Sequence, residues 1–328
     1  MSKKYLVTGA AGFIASQVSK QLLDQGEQVL GVDNLNDYYD VRLKNWRLEQ
    51  LKAHPHAQNF SFACLDIEDQ DKLSDLFKKQ GSFDAVLNLA ARAGVRYSME
   101  NPHSYLSTNA EGTLNLLECM RAQGCKKIVL ASTSSLYADQ KMPFTEDLAV
   151  NEPLSPYAAS KKAGELMAYS YHKLYQMDVS VVRYFTVFGP AGRPDMSPYR
   201  FIKWIAEEET IQMFGDGSQS RDFTYLDDIA RGTIAAIQDV GYEIINLGGG
   251  RNPVSLNTII SKLEELLDKK AKIDHKPFHV TDLMETWADI SKAKNLLGWE
   301  PQVSLDEGLE KSVDWYMDNQ HWLKVVQV

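Results

Sequence analysis

Short apolar segments alternate with longer amphipathic segments along the first half of the chain. Six of the apolar segments are predicted to be strands, at residues 5–8, 28–32, 60–63, 85–89, 127–131 and 179–183. Between them, apolar residues recur at helical spacing, as at Val18, Leu22 and Leu23. Repeated strand–helix–strand units place their strands in parallel, with helices on both faces. The pattern therefore predicts an α/β fold with a doubly wound parallel sheet.

The pattern changes after about residue 185. Loops rich in glycine and proline come first, followed by helices predicted near 226–239, 256–267 and 305–318 and short strands near 211–214 and 243–247. No flexible linker separates the halves, so we expect them to pack together with a cleft between them. The predicted boundaries are 1–185 for the first domain and 186–328 for a smaller C-terminal α/β part. Whether some of the later chain returns to the first domain stays open.

Composition narrows the class of protein. The 328 residues are 44% hydrophobic and 24% charged, which is typical of a folded globular chain. A net charge of -9 without a Lys/Arg-rich stretch argues against a nucleic-acid partner, because phosphate binding needs a basic surface. Cys64, Cys119 and Cys125 form no Cys-x-x-Cys pair, so neither a metal site nor a disulfide framework is expected. With no segment typical of a signal peptide or a membrane span, we expect a cytoplasmic protein without a membrane partner.

A glycine-rich segment, Thr8-Gly-Ala-Ala-Gly-Phe-Ile-Ala15, directly follows the first predicted strand. Such a turn lets backbone N–H groups approach a pyrophosphate at the N-terminus of the next helix. The second strand ends at Asp33, where a carboxylate binds ribose hydroxyls. Because a carboxylate repels the 2′-phosphate of NADP and no arginine directly follows, these residues predict a Rossmann-type NAD site. The alternative is a plain strand–helix turn with a solvated aspartate.

Residues at two further strand ends are predicted to complete this site. Asp66 and Ile67 follow the third strand and are placed beside the adenine, although Asp66 alone fits a helix N-cap equally well. The segment 88–91 ends the fourth strand near the pyrophosphate. The predicted NAD-binding residues at these strand ends are therefore Gly9, Gly12, Phe13, Ile14, Asp33, Asn34, Asp66, Ile67 and Ala90.

Hydroxyl groups cluster where the fifth strand ends, at 132–135, and the next helix carries Tyr157 and Lys161. Ligands of open parallel sheets bind at the carboxyl ends of strands. Tyr157 and Lys161 are four residues apart and share one helix face. An adjacent ammonium and a cationic nicotinamide ring favour the phenolate, so Tyr157 is predicted to act as a base near neutral pH. Taken alone, Tyr-x-x-x-Lys is equally typical of a helix surface, but the glycine turn and the hydroxyl cluster favour catalysis.

Together these motifs resemble those of the extended short-chain dehydrogenases/reductases, and within them the UDP-glucuronate 4-epimerase group. The resemblance covers nearly the whole chain and rests on residues 31–44, 93–98, 183–190, 193–196 and 221–225. It implies that Tyr157 takes the C4 hydroxyl proton, that C4 gives its hydride to NAD, and that the hydride returns to the opposite face of the 4-keto sugar. It also implies that Thr133 hydrogen-bonds the reacting oxygen and that Lys161 binds the nicotinamide ribose.

Neighbouring activities within this family differ at a few positions. Related 4,6-dehydratases carry an Asp-Glu pair, and related decarboxylases a Glu, where this chain has Ser134 and Ser135. Without an added acid or base the 4-keto intermediate cannot eliminate water, so epimerisation is favoured. UDP-galactose 4-epimerases typically have asparagine where this chain has Thr186, which indicates a uronate substrate.

The predicted partner is therefore a UDP-sugar, bound by Ser134, Ser135, Thr186, Arg193 and Arg221. The serine and threonine hydroxyls suit a C5 carboxylate, and Arg193 suits either that carboxylate or the diphosphate. By resemblance Arg221 binds the diphosphate, although an Arg-Asp pair is also typical of a surface salt bridge. Two alternatives stay open: a 4-epimerase of neutral UDP-hexoses, and a non-catalytic NAD-binding sensor protein.

Some positions depart from the family pattern. Ala15 replaces its third glycine, Gln17 replaces a histidine, and Thr281-Asp282-Leu283, preceded by His279, replaces Gly-Asp-Val. Trp287 and Asp289 match a segment that either lies along the nucleotide pocket or only packs. The resemblance also implies a homodimer, in which one helix within 101–122 and one within 157–175 form a four-helix bundle with their copies.

Overall fold

The structure is a computed structural model that describes residues 2–251, 253–278 and 283–327. Its strands, in chain order, are β1 (Lys4–Thr8), β2 (Gln28–Asp33), β3 (Phe60–Cys64), β4 (Ala85–Asn88), β5 (Lys127–Thr133), β6 (Asp178–Tyr184), β7 (Thr186–Phe188), β8 (Thr210–Phe214), β9 (Ser220–Arg221), β10 (Phe223–Tyr225), β11 (Tyr242–Leu247), β12 (Val254–Ser255) and β13 (Lys272–Lys276). Its α-helices are α1 (Phe13–Asp24), α2 (Val41–Lys52), α3 (Gln70–Gln80), α4 (Val95–Glu100), α5 (Pro102–Leu106), α6 (Gly112–Gln123), α7 (Pro156–Tyr175), α8 (Ser197–Ala206), α9 (Leu226–Ala235), α10 (Leu256–Leu267), α11 (Ser291–Leu297) and α12 (Leu305–Leu323). Short 3₁₀ helices lie at Ala57–Asn59 and Ser134–Tyr137, and a π-helical turn at Ser107–Glu111 joins α5 to α6.

Seven parallel strands form the central sheet, in the order β11-β6-β5-β4-β1-β2-β3. All six strands predicted from the first half of the chain belong to it, and the predicted α/β class with a doubly wound parallel sheet is confirmed. The chain leaves β1 outward through β2 and β3 and then crosses back to β4. Such a reversal opens a crevice at the carboxyl ends of the strands, which is where ligands bind in this kind of sheet.

The later half of the chain supplies the seventh strand. β11 pairs with β6 over its whole length, with Tyr242 opposite Val179 and Leu247 opposite Tyr184. The segment predicted near 243–247 therefore belongs to the central sheet, not to the C-terminal part. The edge of β6 offers this strand a row of backbone hydrogen-bond partners and buries Ile245 and Leu247 completely.

Apolar side chains cover both faces of the sheet. Leu22 of α1 and Ile229 of α9 pack on one face, and Phe77 of α3 and Leu117 of α6 pack on the other. A separate core joins α8, α10 and α12 around β8, which pairs in parallel with β13. None of the helices in the described part of the chain combines the length and apolar character that a membrane crossing requires.

Candidate active site

A cavity of about 730 Å³ runs along the carboxyl ends of the central strands and under the C-terminal part. It is lined by every residue that was predicted to bind NAD, bind substrate or act in catalysis: Gly9, Gly12, Phe13, Ile14, Asp33, Asn34, Asp66, Ile67, Ala90, Thr133, Ser134, Ser135, Tyr157, Lys161, Thr186, Arg193 and Arg221. The fold thus brings distant segments to one site. The individual roles of these residues stay predictions.

The glycine turn after β1 has the geometry that a pyrophosphate site needs. Gly9 adopts a φ of +70°, and a Cβ at this position would lie 2.9 Å from the backbone N and Cα of Ala90. Gly12 is the N-cap of α1 and offers no side-chain cap to the N–H groups of the first turn. These N–H groups and the positive end of the helix dipole form a suitable site for an anion.

Asp33 ties the glycine turn to the end of β2. Its carboxylate accepts hydrogen bonds from Ala11 N at 3.1 Å and from Leu35 N at 2.8 Å. Asp66 lies in the same cavity wall and accepts a hydrogen bond from Asn34 Nδ2 at 2.7 Å. The N-cap of α3 is Asp69, so the alternative interpretation of Asp66 as a helix cap is wrong.

The departures from the family pattern have structural explanations where they fall on described residues. Ala15 is buried in the core beneath α1, and Gln17 Nε2 donates to Asp227 Oδ1 at 2.8 Å, which ties α1 to α9. Trp287 and Asp289 form backbone hydrogen bonds to Phe144, and neither belongs to the described residues that line the cavity. This segment packs. His279, Thr281 and Asp282 lie outside the described residues.

The predicted catalytic pair lies at the start of α7. Pro156 occupies the first helical position and Ser155 Oγ caps the helix by accepting from Ala158 N at 3.2 Å. Tyr157 therefore falls in the first turn and Lys161 one turn later, both facing the cavity. The hydroxyl of Thr133, at the end of β5, lies near enough to the Tyr157 phenol to lower its pKa as a hydrogen-bonding group. The three side chains predicted to act in catalysis meet where β5 ends.

Burial shifts the pKa of both members of this pair. It raises the pKa of Tyr157, and this effect outweighs the hydrogen bond from Thr133 and the charge of Arg193, which both lower it. Burial also lowers the pKa of Lys161 to about 8, against the opposing effect of Glu165. The groups of the chain alone therefore do not produce the lowered pKa that was predicted for Tyr157, because the cost of burying a phenolate is larger than their combined attraction.

The hydroxyl cluster and Arg193 line the same cavity as Tyr157. Thr133 Oγ1 accepts from Ser135 N at 3.1 Å and so orients the turn that carries Ser134 and Ser135. The Arg193 guanidinium donates to Asp195 Oδ1 at 3.0 Å and to the backbone oxygen of Ala93 at 3.1 Å. These partners fix the guanidinium close enough to Tyr157 for its charge to act on the phenol.

The cavity wall is cationic although the whole chain is acidic. Its described basic residues are Lys44, Arg92, Arg96, Lys161, Arg193, Arg200 and Arg221, against the carboxylates of Asp33, Asp66 and Asp195. Sequence reasoning missed Lys44, Arg92, Arg96 and Arg200, although Lys44 and Arg96 lie within the family-like segments 31–44 and 93–98. Such a wall favours an anionic ligand such as a sugar nucleotide. In the described part of the chain no three His, Cys, Asp or Glu side chains form a metal-binding group.

The fold, the glycine turn and the Tyr–Lys pair define a Rossmann-type nucleotide-binding enzyme. The sequence profile described as GDP-mannose 4,6 dehydratase matches residues 6–312, and the chain belongs to this family. Within the family it is 60% identical over 324 residues to the UDP-glucuronate 4-epimerase of Thermodesulfobacterium geofontis, covering 99% of both chains. It is 40% identical to UDP-glucuronate 4-epimerase 4 of Arabidopsis thaliana, covering 95% of this chain and 75% of that protein.

Two solved structures are similar along almost their entire length. The UDP-glucuronic acid 4-epimerase from Bacillus cereus, in complex with UDP-glucuronic acid and NAD, has a TM-score of 0.90 and 39% identity, covering 96% of this chain and 99% of that one. The UDP-glucose 4-epimerase from Thermotoga maritima has a TM-score of 0.87 and 32% identity, covering 97% and 99%. The predicted resemblance to UDP-glucuronate 4-epimerases is confirmed.

Proposed function

We propose that the chain is an NAD-dependent isomerase that converts UDP-glucuronate to UDP-galacturonate by epimerisation at C4. The observation that carries the proposal is the meeting of Thr133, Tyr157 and Lys161 at the carboxyl end of β5, with Arg193 beside them. Full-length relatives named UDP-glucuronate 4-epimerases bear out the predicted activity, and the B. cereus complex bears out NAD as the cofactor.

The residues present fit NAD. The N–H groups after Gly9 and Gly12 suit the pyrophosphate, Asp33 the adenosine ribose, Asp66 and Ile67 the adenine, and Lys161 the nicotinamide ribose. When bound, NAD accepts the C4 hydride and returns it. Tyr157 takes the C4 hydroxyl proton, with Thr133 hydrogen-bonding at the same oxygen. Because burial raises the pKa of Tyr157, its phenolate needs stabilising positive charge beyond that of Arg193, a role that suits Lys161 and a bound nicotinamide ring.

Arg193 supports a uronate substrate. Its guanidinium acts electrostatically on Tyr157, which places it near the reacting sugar and favours the C5 carboxylate over the diphosphate as its ligand. Ser134, Ser135 and Thr186 line the same end of the cavity and supply hydroxyl donors, while Arg221 remains for the diphosphate.

The positions of the carboxylates that line the cavity support epimerisation rather than dehydration. In the described residues these are Asp33 and Asp66 in the wall predicted to bind NAD, and Asp195, whose carboxylate is bound to Arg193. Ser134 and Ser135 offer no carboxylate for acid–base elimination, so return of the hydride is the productive fate of the 4-keto sugar.

A cytoplasmic homodimer is part of the proposal. α5 and α7 expose large apolar side chains: Leu106 (57%), Leu166 (53%), Leu174 (70%), Met167, Tyr169 and Tyr175. An exposed apolar surface of this kind is typical of a protein interface, and the helices fall within the segments 101–122 and 157–175 that the family resemblance implies. The free thiols of Cys64, Cys119 and Cys125 agree with a reducing compartment.

The test is a product-resolved NMR assay of the purified protein with UDP-glucuronate, UDP-glucose and UDP-N-acetylglucosamine. We expect UDP-galacturonate from UDP-glucuronate, with the neutral sugars turned over much more slowly. Faster turnover of a neutral sugar would establish the hexose alternative. Binding of NAD without turnover of any sugar would establish the sensor alternative.

A further inference from the structure

A buried ion pair lies directly behind the candidate catalytic pair. Glu165 of α7 and Arg183 of β6 each expose 1% of their side chains. Glu165 Oε1 accepts from Arg183 Nε at 2.9 Å and Oε2 accepts from Arg183 Nη2 at 2.8 Å. This two-point geometry is the strongest form of a carboxylate–guanidinium contact.

The pair connects the elements that carry the site. Glu165 lies one helical turn beyond Lys161, and its Oε1 also accepts from Ser132 Oγ at 2.7 Å. Ser132 directly precedes Thr133 on β5. The Arg183 guanidinium lies 4.9 Å from the ring centre of Tyr137, in the turn that carries Ser134 and Ser135.

A buried ion pair is a poor way to stabilise a fold, because the cost of desolvating two charges offsets their attraction and an apolar pair of similar volume is often as stable. The contacts of Glu165 with Ser132 and its position after Lys161 point to another role. The Ser132 contact ends next to Thr133 in the sequence, and Glu165 itself lies one helical turn after Lys161.

We propose that Glu165 is a positioning residue, which with Arg183 and Ser132 fixes α7 against β5 so that Tyr157 and Lys161 meet Thr133. The inference rests on the proposed function, since it concerns the same site.

Glu165 also acts on Lys161 through its charge. Burial lowers the pKa of Lys161, and the Glu165 carboxylate is the group that opposes the shift. Arg183 faces Glu165 from β6 and Lys162 from α7 itself, at 3.4 Å. Tyr137 and Tyr242 also feel the carboxylate from neighbouring elements, and its charge raises the pKa of each phenol.

The test removes both charges together, so that no buried charge is left unpaired. The variant Glu165→Gln/Arg183→Met is compared with Lys127→Met/Asp178→Asn, a largely buried pair that joins the first residues of β5 and β6, at the end of the sheet away from the site. The wild-type protein and both variants are assayed for kcat and KM over a range of pH, with urea unfolding as the measure of stability. A merely structural role predicts similar results for the two double variants.

We expect the Glu165/Arg183 variant to lose kcat across the pH range, most strongly at alkaline pH, with an unchanged KM. The upper limb of its kcat–pH profile should move to lower pH, because the Glu165 charge is the group that opposes the lowering of the Lys161 pKa by burial. The Lys127/Asp178 variant should keep the wild-type limb. An upper limb at the wild-type position in the Glu165/Arg183 variant overturns the proposed effect on Lys161.

Two single variants separate the tether, which is the fixing of α7 against β5, from the effect of the Glu165 charge on Lys161. Ser132→Ala keeps both charges, so it should lower kcat without moving the upper limb, and a wild-type kcat overturns the proposed tether. If the double variant does not fold, Glu165→Asp replaces it: the shorter carboxylate should lower kcat with the limb unchanged, and a wild-type kcat refutes the positioning role. A wrong substrate assignment is recognised separately, because the wild-type protein itself would then not turn over UDP-glucuronate.

Discussion

Replacing Thr133 by valine removes one hydroxyl from the candidate site while keeping the shape of the side chain. That hydroxyl accepts a hydrogen bond from Ser135 N at 3.1 Å and lowers the pKa of the Tyr157 phenol as a hydrogen-bonding group. A hydrogen bond to a charged group, here the phenolate, contributes about 1.5–3 kcal/mol. At about 1.36 kcal/mol per tenfold in rate, kcat of Thr133→Val should fall by roughly 10- to 150-fold.

The pH dependence gives a second, independent readout of the same bond. The Thr133 hydrogen bond lowers the pKa of Tyr157, so its loss raises that pKa. Tyr157 acts as the deprotonated base, and a higher pKa means that the base form is reached only at higher pH. The lower limb of the kcat–pH profile should therefore move to higher pH in Thr133→Val, as measured by NMR detection of UDP-galacturonate.

Thr133→Ser is the matched control, because it keeps the hydroxyl and removes only a methyl group. It should retain most of the wild-type kcat and the wild-type lower limb. Loss of the cap on Ser135 N should cost the valine variant about 1 kcal/mol of unfolding free energy, which urea denaturation measures separately. Equal kcat values for the valine and serine variants would refute the assignment of the Thr133–Tyr157 hydrogen bond to catalysis.

Other predictions concern the cofactor, the pH profile and the assembly. Gly9→Ala should weaken NAD binding by roughly tenfold or more, because the φ of +70° costs an alanine about 1–2 kcal/mol and its Cβ would lie 2.9 Å from Ala90. An unchanged Kd for NAD, measured by calorimetry, would contradict this. Asp33→Asn should reduce the preference for NAD over NADP, as measured by the ratio of the two Kd values, and a wild-type ratio would argue against repulsion of the 2′-phosphate. The upper limb of the wild-type kcat–pH profile should lie near pH 8, where Lys161 loses its charge as the pH rises. A flat kcat–pH profile through that region would contradict the role of Lys161. Leu174→Glu should convert the proposed dimer to a monomer by light scattering, and a wild-type monomer would refute the dimer itself.

The central strands and the chemistry at their ends were predictable because their signals are local. Each strand is a short apolar segment followed by a helical repeat, and the Gly9 to Ile14 turn lies between one strand and one helix. Tyr157 and Lys161 are related by a single helical turn. For these features a window of a few residues contains the physical cause, so tertiary context had little to add.

Features that depend on distant segments were not predictable in the same way. The strand at 242–247 looks the same in sequence whichever edge it joins, and only the open side of β6 decides its place. Arg92 and Arg200 reach one cavity from segments more than a hundred residues apart. Whether Asp66 caps α3 depended on where the helix starts, and helix ends are poorly specified by periodicity; the structure has Asp69 as the cap.

The pairing of β11 with β6 restricts how this protein can be recombined with its relatives. A fragment ending at residue 185 would leave the β6 backbone unpaired along one side, next to the normally buried Val179, Val181 and Val182. Such an apolar edge is prone to pair with another chain and aggregate. A chimera that exchanges the later half for that of another enzyme must therefore transplant a matching β11, or keep residues 242–247 from the host.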